Sequence, residues 1–313
     1  MLPLRARILC AAVQSMMMRI GVDVGRTKIE IVALDDDRST LTRRRIATPV
    51  TDYEATLDAI AGLVRDVESE AGRRATVGIG TPGAIDAVTG LLKNSNSTVL
   101  NGKPLHRDLE ARLGRELRLT NDANCLALSE AIDGAAKDAD VTFVAILGTG
   151  VGGGIAVGRR VITGRNKIAG EWGHNPLPWM TFDELPGPQC YCGKRGCIET
   201  FLSGPALAAE FTSLTGRTMR GDEIAKAAET GDVDAAAAIA RYEERLARAL
   251  THVINVVDPD VIVLGGGLSN MERLYANVPS LMQPYVFSEL VDLRIVPAMH
   301  GDSSGVRGAA LLW

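Results

Sequence analysis

The apolar positions of this chain follow two patterns, the alternating or continuous pattern typical of strands and the helical period. After residue 18 they predict three strands, over Arg19–Val24, Ile29–Leu34 and Thr40–Ala47. Residues 52–71 then repeat apolar side chains at helical spacing. Strands and helices continue to alternate downstream, which indicates an α/β architecture.

The later elements are predicted in the same way. Further strands are expected over residues 76–80, 116–120, 141–147, 153–157, 161–162, 261–264 and 293–297. Further helices are expected over residues 105–113, 123–136, 204–215, 220–229, 234–257, 269–282 and 305–313. Residues 165–200 follow neither pattern and are called the cysteine segment below, because they hold three of the five cysteines.

The two halves of the chain begin alike. The strand over Arg19–Val24 and the strand over Val141–Leu147 each run into a turn that contains glycine and threonine, and another strand follows each turn. A repeat of this kind predicts two related lobes that face each other across a cleft.

The composition agrees with a globular chain of two domains. Its 313 residues are 46% hydrophobic and 23% charged, close to the averages for folded proteins. We expect an N-terminal lobe over residues 19–121, a C-terminal lobe over 122–300, and a final helix over about 301–313 that packs back on the N-terminal lobe. Residues 1–18 are interpreted as a translated upstream leader or a disordered tail.

Charge and hydropathy argue against two classes of partner. The 34 Lys and Arg against 38 Asp and Glu give a formal net charge of −4, whereas nucleic-acid binding needs a cationic surface. No apolar stretch reaches the ~18 residues of a membrane span, so no membrane partner is expected. A cytoplasmic location is favoured, because the apolar run Ile8–Val13 is barely long enough for a secretory signal.

Glycine accounts for 33 residues and clusters after predicted strands. In a turn of glycine and threonine, backbone N–H groups and hydroxyls can face an anion without obstruction. The two turns, with Gly265–Gly267 after a third strand, suit a nucleoside triphosphate, and Asp23 is positioned to hold Mg²⁺ through water. The alternative, that these glycines only make tight turns, is weakened by their recurrence after three strands.

The cysteine segment has the spacing of a metal site. His174, Cys190, Cys192 and Cys197 follow the pattern His-x15-Cys-x-Cys-x4-Cys. One imidazole and three thiolates form a tetrahedral Zn²⁺ site, and four protein ligands make such a site structural rather than catalytic. Because disulfides are rare in a reducing compartment, metal binding is the expected use of these cysteines. The alternative is a loop with free cysteines.

Three carboxylates are candidates for binding a ligand or for accepting a proton from it. Glu171 and Glu199 flank the cysteine segment's predicted ligands, and carboxylates accept hydrogen bonds from sugar hydroxyls. Asp122 follows a predicted strand, and a base there could accept the proton of a sugar hydroxyl during phosphoryl transfer. The alternatives are surface residues for the two glutamates and a helix cap for Asp122.

Five segments together resemble the ROK family (repressors, open reading frames, kinases). They are Asp23–Lys28, Asn121–Asn124, Gly148–Gly154, Gly170–His174 and Cys190–Glu199, and the resemblance runs from about residue 19 to the C-terminus. The pairing of Gly-Glu-x-Gly-His with Cys-x-Cys-Gly-x-x-Gly-Cys is its most specific part. Within the family, residues 170–179 and 300–308 are most similar to bacterial manno(fructo)kinases, and the N-acetylglucosamine kinases are near relatives.

The resemblance implies an actin-like ATPase fold of the ribonuclease H-like type, with two lobes around a central cleft. It implies an ATP-dependent sugar kinase that is usually a homodimer, with ATP, Mg²⁺ and structural Zn²⁺ as cofactors. The expected reaction phosphorylates the 6-hydroxyl of a hexose, with D-fructose as the first candidate and mannose or glucose as further ones. The alternatives are an N-acetylglucosamine or glucose kinase and a non-catalytic sugar sensor. A repressor is disfavoured, because 18 residues before the first strand are too few for a helix-turn-helix domain.

The resemblance also assigns site residues. Asp122 would be the base that deprotonates the 6-hydroxyl. The sugar would be bound by Gly83, Asn101, Asn121, Asp122, Glu171, His174 and Glu199. The nucleotide and its Mg²⁺ would be held by Asp23, Gly25, Arg26, Thr27, Lys28, Thr149, Gly150, Gly265, Gly266 and Gly267.

Arg26 departs from the family pattern, which has glycine at this position. Arginine is unfavourable there if the position needs a positive φ or a close approach of the backbone to phosphate. Its guanidinium, on the other hand, could itself contact a phosphate. We expect ATP affinity that is reduced but not lost.

Overall fold

The computed structural model describes residues 18–95, 97–289, 292–301 and 304–313. The chain forms two compact units: unit 1 holds the described residues up to Cys125 together with Gly305–Trp313, and unit 2 holds Leu126–Ser304. Both boundaries fall four residues after the expected positions at 121 and 300. Apart from Met18, the segment interpreted as a leader or tail lies outside the described residues.

Strands and helices alternate along much of the chain. The strands are β1 (Arg19–Val24), β2 (Lys28–Leu34), β3 (Thr40–Ala47), β4 (Thr76–Thr81), β5 (Ala84–Ile85), β6 (Leu92–Lys93), β7 (Arg118–Asn121), β8 (Val141–Leu147), β9 (Val151–Val157), β10 (Arg160–Val161), β11 (Val261–Gly265) and β12 (Arg294–Pro297). The α-helices are α1 (Tyr53–Ala71), α2 (Leu105–Leu113), α3 (Asp122–Asp133), α4 (Glu199–Leu202), α5 (Gly204–Thr215), α6 (Gly221–Glu229), α7 (Val233–Val257), α8 (Glu272–Met282) and α9 (Ser304–Ala310). In the described part of the chain, none of the helices is long and apolar enough to cross a membrane.

Each unit is built on a five-stranded sheet. The order is β3-β2-β1-β4-β7 in unit 1 and β10-β9-β8-β11-β12 in unit 2. In each sheet the first three strands pair antiparallel and the last three parallel. The two sheets therefore share one order and one set of directions, in agreement with the repeated glycine and threonine turns of the sequence.

The helices begin and end where local chemistry allows. Helix α1 begins after Asp52, whose side chain accepts the N–H of Ala55 at 3.1 Å, and ends at Gly72, which has a left-handed φ of 65°. Helix α3 ends at Asp133 rather than at residue 136, because the Glu130 carboxylate turns back to accept the N–H of Ala135. Such caps shift helix ends by a few residues without changing the pattern of apolar positions.

The helix predicted over residues 269–282 is split in two. A 3₁₀ turn covers Gly267–Asn270, and α8 begins only at Glu272. Met271 between them has extended backbone angles and is buried, so its side chain packs into the core of unit 2 instead of continuing a helix.

A buried ion network ties the cysteine segment to α7. Arg248 is 1% exposed and donates to the carbonyl oxygen of Trp179 at 2.7 Å and to Glu184 Oε2 at 2.8 Å. Glu184 also accepts from Arg245 Nε at 2.7 Å. Burial would raise the pKa of Glu184, but the hydrogen bonds from Arg248 and Arg245 outweigh it and lower the pKa to about 2. The network therefore anchors an irregular segment to the longest helix in the described part of the chain.

At three glycines of unit 1, the backbone of α9 and that of a neighbouring element approach too closely for a side chain. A Cβ on Gly21 of β1 or Gly78 of β4 would lie 2.0 or 1.9 Å from a carbonyl oxygen of α9. A Cβ on Gly308, within α9, would lie 1.7 Å from the carbonyl oxygen of Cys125 on α3. Because real Cβ atoms do not come this close to backbone, α9 can pack here only against glycine.

We expect Gly78→Ala to destabilise the protein by about 1–3 kcal/mol or more, since the added methyl group must displace the backbone of α9. The measurement is chemical denaturation of both variants and the wild type. Gly62→Ala is the matched control: it lies inside α1 with open space around its Cβ position, and should stabilise by roughly 0.5–1 kcal/mol. Equal effects of the two substitutions would contradict the packing argument.

Candidate functional site

The Asp122 carboxylate lies in unit 1 at the junction of β7 and α3. Asn121 caps the helix instead, because its Oδ1 accepts the N–H of Asn124 at 2.8 Å. Asp122 Oδ1 accepts the N–H of the adjacent Ala123 at 2.8 Å, and burial raises the pKa of Asp122. The capping explanation for Asp122 is thus wrong, and its carboxylate is available for chemistry.

A second carboxylate, that of Asp23, lies on β1, which is separated from β7 by β4 in the sheet of unit 1. Asp23 of β1 pairs in register with Gly80 of β4, and Gly80 with Thr120 of β7. Burial raises the pKa of Asp23 to about 7, with the charges of Asp122 and Glu30 adding to the effect. A divalent cation would relieve this repulsion, so the donor set fits the Mg²⁺ expected from the sequence.

The β1–β2 turn holds the other predicted phosphate ligands of unit 1. Within the turn, the Gly25 N–H donates to the Lys28 carbonyl oxygen at 3.0 Å. Thr48 of the adjoining chain holds the turn from outside: its hydroxyl donates to the Gly25 carbonyl oxygen at 2.8 Å, and its N–H donates to the Thr27 carbonyl oxygen at 3.1 Å. Arg26 does not have a positive φ, so only a close approach of the backbone to phosphate would make arginine unfavourable here, and the reduced ATP affinity stays a prediction. Its side chain lines a small pocket of unit 1 together with Thr48 and residues 97–100.

Two predicted sugar ligands of unit 1 shape a loop. Gly83 has a φ of 80°, and a Cβ there would lie 2.3 Å from the carbonyl oxygen of Lys93. Asn101 uses both ends of its amide on the backbone of Ser95: Oδ1 accepts at 2.9 Å and Nδ2 donates at 2.9 Å. Asn101 therefore holds this loop, and its contact with sugar stays a prediction.

Unit 2 contains a pocket of about 630 Å³, within the range of small-ligand sites. Its lining comprises Gly148, Thr149, Gly204, Pro205, Ala208, Arg220, Gly221, Asp222, Gly267, Leu268 and Asn270. Gly148 and Gly267 have open space at their Cβ positions, so side chains there would occupy the pocket. The pocket thus fits a nucleotide held against two glycine turns.

Of the predicted nucleotide ligands in unit 2, Thr149 and Gly267 line this pocket. Gly150 and Gly266 lie in the turns after β8 and β11, Gly265 is the last residue of β11, and the contact of all three with a nucleotide stays a prediction. A Cβ on Gly150 would lie 2.7 Å from Glu199 Oε2, and Gly266 has a φ of 85° with backbone 2.5 Å from its Cβ position. The sequence also missed lining residues such as Arg220 and Asp222, because an ion pair at a helix start carries no spacing signal.

The four predicted metal ligands come together in unit 2. The ligand atoms of His174, Cys190, Cys192 and Cys197 all lie within 4.8 Å of one another. Two of the separations, Cys190 Sγ to His174 Nδ1 and Cys192 Sγ to Cys197 Sγ, are both 3.6 Å. Ligand atoms around a tetrahedral Zn²⁺ lie about 3.5–3.8 Å apart, so these residues fit the metal.

Both predicted sugar carboxylates of unit 2 stand beside β9. Glu199 Oε2 accepts the N–H of Val151 at 2.8 Å. Glu171 precedes Trp172, which is buried and donates from Nε1 to the carbonyl oxygen of Gly152 at 2.7 Å. Gly153 of β9 makes room for this indole, since a Cβ there would lie 2.6 Å from its Cδ1. The strand therefore holds Glu199 directly and the backbone of Glu171 through its neighbour Trp172.

Comparison with known proteins agrees with this architecture. The ROK family profile matches residues 19–313, and the chain belongs to the ROK family. It is 42% identical over 299 residues to the N-acetyl-D-glucosamine kinase of Vibrio atlanticus (strain LGP32), which covers 94% of this chain and 99% of that protein. It is 41% identical over 300 residues to the kinase of the same name from Salmonella paratyphi C (strain RKS4594), with the same coverage.

Two solved structures have the same fold. A ROK hexokinase from Thermus thermophilus matches with a TM-score of 0.83 at 32% identity, over 94% of this chain and 97% of that one. A ROK family glucokinase from Streptomyces griseus, in complex with glucose and AMPPNP, matches with a TM-score of 0.78 at 28% identity, over 94% and 98%. The fold is therefore the actin-like ATPase fold expected from the sequence.

We expect Asp23→Asn to stabilise the ligand-free protein more at pH 8 than at pH 5. The folded pKa of about 7 lies above the ordinary 3.8, so the folded protein loses stability when Asp23 ionises. This loss is absent at low pH and complete above pH 7. The gain at pH 8 should be on the order of 2–4 kcal/mol, measured by denaturation at both pH values.

Asp86→Asn is the control of opposite sign. A hydrogen bond from Lys93, with others from Thr89 and Val88, lowers the pKa of Asp86, so this substitution should lower the melting temperature at pH 8. A gain for Asp23→Asn that is the same at pH 5 and pH 8 would rule out the electrostatic explanation.

Proposed function

We propose that this protein transfers the γ-phosphoryl group of ATP to the 6-hydroxyl of a hexose. The observation that carries the proposal is the Asp122 carboxylate, which has a raised pKa and is relieved of helix capping by Asn121. Whole-length identity to proteins named as sugar kinases supports the same reaction class.

Asp122 is the proposed general base. A base works best when its pKa is near the working pH, and burial raises the pKa of Asp122 in that direction. It would accept the proton of the 6-hydroxyl as the oxygen attacks the γ-phosphorus and the bond to the ADP oxygen breaks. Asp23 would hold Mg²⁺, which supplies compensation for the negative charge of the phosphates.

The pocket of unit 2 is the proposed site of the nucleotide. Backbone N–H groups at the turns of Thr149 and Gly267 can face phosphate oxygens. Pro205 and Leu268 offer apolar surface to the base, and the Asp222 carboxylate can accept hydrogen bonds from ribose hydroxyls. In unit 1 the β1–β2 turn, with Arg26 and Lys28, is the second proposed phosphate ligand.

The proposed sugar ligands are polar groups on rigid supports. In unit 1 they are Asp122 and the amide NH₂ group of Asn121, whose Oδ1 is occupied by the helix cap. In unit 2 they are Glu171, His174 and Glu199. Carboxylates only accept hydrogen bonds, which suits the hydroxyl protons of a hexose.

Two acceptor sugars are each supported by a specific observation. The curated relatives at 40–42% identity carry the name N-acetyl-D-glucosamine kinase, and this favours the N-acetylated sugar. The resemblance of residues 170–179 and 300–308 to manno(fructo)kinases favours D-fructose, the first expectation from the sequence. The comparisons support N-acetyl-D-glucosamine more directly, so we propose it as the first acceptor to test.

We also propose a structural Zn²⁺ held by His174, Cys190, Cys192 and Cys197. The support is the approach of the four ligand atoms to within 4.8 Å and the presence of four protein ligands. When bound, the metal cross-links the cysteine segment and holds the His174 ring in one orientation.

A sugar panel tests the proposed reaction. ATP consumption is measured with N-acetyl-D-glucosamine, D-fructose, D-mannose and D-glucose in turn, and we expect the highest kcat/KM for N-acetyl-D-glucosamine. A clear lead for D-fructose would move the assignment to the manno(fructo)kinases. Binding of a sugar without turnover of any would favour a sensor.

Asp122→Asn is the catalytic control for that panel. It keeps the size of the side chain and removes the base, so kcat should fall by a factor of roughly 10²–10⁴ while sugar binding stays measurable by calorimetry. A near-normal kcat would overturn the assignment of the base.

Cys192→Ser tests the metal site. We expect the variant to lose the one equivalent of zinc that the wild type holds, and to melt at a lower temperature, because three ligands bind the metal less tightly than four. Cys125→Ala is the control: it removes a thiol from unit 1 and should leave the zinc content at one equivalent. A Cys192→Ser protein with unchanged zinc content and melting temperature would refute the site.

A further inference from the structure

The turn between β8 and β9 is held from outside by the chain that follows the cysteine segment. Gly148 and Thr149 of this turn line the pocket proposed for the nucleotide. Just after the turn, the N–H of Val151 donates to Glu199 Oε2 at 2.8 Å. At its start, the Gly148 carbonyl oxygen accepts the N–H of Gly204 at 2.8 Å. Both ends of the turn are therefore fixed by one short stretch of unit 2.

Glu199 is a rigid support for the turn. It is the first residue of α4, and Ile198 before it and Leu202 at the end of the helix are fully buried. The N–H of Ser203 donates to the Glu199 carbonyl oxygen at 3.1 Å. Because the backbone is fixed on both sides, the carboxylate can hold the N–H of Val151 in one place.

Gly150 shows how closely the carboxylate and the turn fit. A Cβ on Gly150 would lie 2.7 Å from Glu199 Oε2 and 3.6 Å from its Cδ. Apart from the two chain neighbours, no other atom of the described residues lies within 4 Å of that position. Gly150 does not have a positive φ, so the backbone there accepts any residue. The space that its missing side chain leaves is therefore used by the carboxylate.

The two oxygens of the Glu199 carboxylate can serve two contacts. Oε2 accepts the N–H of Val151. Oε1 can accept the proton of the sugar hydroxyl that the proposed function assigns to this residue, since each carboxylate oxygen is an acceptor. One side chain would then touch the sugar and also hold the turn of the nucleotide pocket.

Resting on the function proposed above, we propose that Glu199 is a positioning residue for the nucleotide as well as a sugar ligand. Its Oε2 holds the N–H of Val151, and through it the β8–β9 turn at the nucleotide pocket. Loss of the carboxylate therefore weakens nucleotide binding even when no sugar is present.

Glu199→Ala and Glu199→Gln separate the two contacts. Calorimetry with a non-hydrolysable ATP analogue and Mg²⁺, without sugar, should show binding weaker by about 3–10-fold for Glu199→Ala, on the order of one hydrogen bond. Glu199→Gln keeps an oxygen that accepts the N–H of Val151, so its nucleotide affinity should equal that of the wild type. Its sugar affinity should fall, because an amide NH₂ group replaces a carboxylate oxygen. In turnover, the KM for ATP should rise for Glu199→Ala and not for Glu199→Gln.

Gly150→Ala acts on the same contact from the side of the turn. Its methyl group would displace the Glu199 carboxylate, so nucleotide affinity should again fall by about 3–10-fold. In the Glu199→Ala background the methyl group meets no carboxylate, and adding Gly150→Ala should cause no further loss.

Unchanged nucleotide affinity of Glu199→Ala, with the wild type active, would overturn the inference and leave the proposed function standing. An equal loss of nucleotide affinity in Glu199→Gln would also overturn it, as would losses that add in the double variant. A wild type that binds no nucleotide would overturn both proposals.

Discussion

The close approach of backbone atoms at Gly21, Gly78 and Gly308 is the constraint on which the candidate catalytic carboxylates depend. These glycines let α9 pack directly on β1 and β4, and let its own backbone reach the start of α3. The same strands and helix carry Asp23 and Asp122. Both carboxyls are buried between these closely packed elements, and burial is the largest cause of their raised pKa.

The pKa values of buried carboxyls are shifted in opposite directions in the two units. In unit 2, Glu184 receives hydrogen bonds from Arg245 and Arg248, which lower its pKa and make it an anchor. In unit 1, Asp23 and Asp122 repel each other, and burial makes their ionisation costly. Such an arrangement lowers the stability of the ligand-free protein and is compensated when a cation or a proton binds, which is expected of a functional site.

Much of the fold could be predicted because its signals are local. Apolar periodicity predicts strands such as Val141–Leu147 to the residue, and the His-x15-Cys-x-Cys-x4-Cys spacing predicts ligand atoms that the structure brings together. What the sequence did not predict is which of several candidate side chains takes a given partner. Asn121 rather than Asp122 caps α3, and Asn101 binds the backbone of Ser95, while its contact with sugar stays a prediction. No spacing rule distinguishes such partners, since the choice depends on distances set by tertiary packing.

The cysteine segment has no regular pattern, yet hydrogen bonds attach it to α7 and to β9. Arg248 of α7 holds Glu184 and the carbonyl oxygen of Trp179, and β9 receives Trp172 and Glu199. These contacts position the backbone next to Glu171 and Glu199, the two proposed sugar carboxylates. What they leave open is the orientation of the His174 ring, whose nitrogens could exchange places. The proposed Zn²⁺, held through one of those nitrogens, would remove that freedom, so its contribution would be a fixed orientation of His174 rather than the shape of the segment.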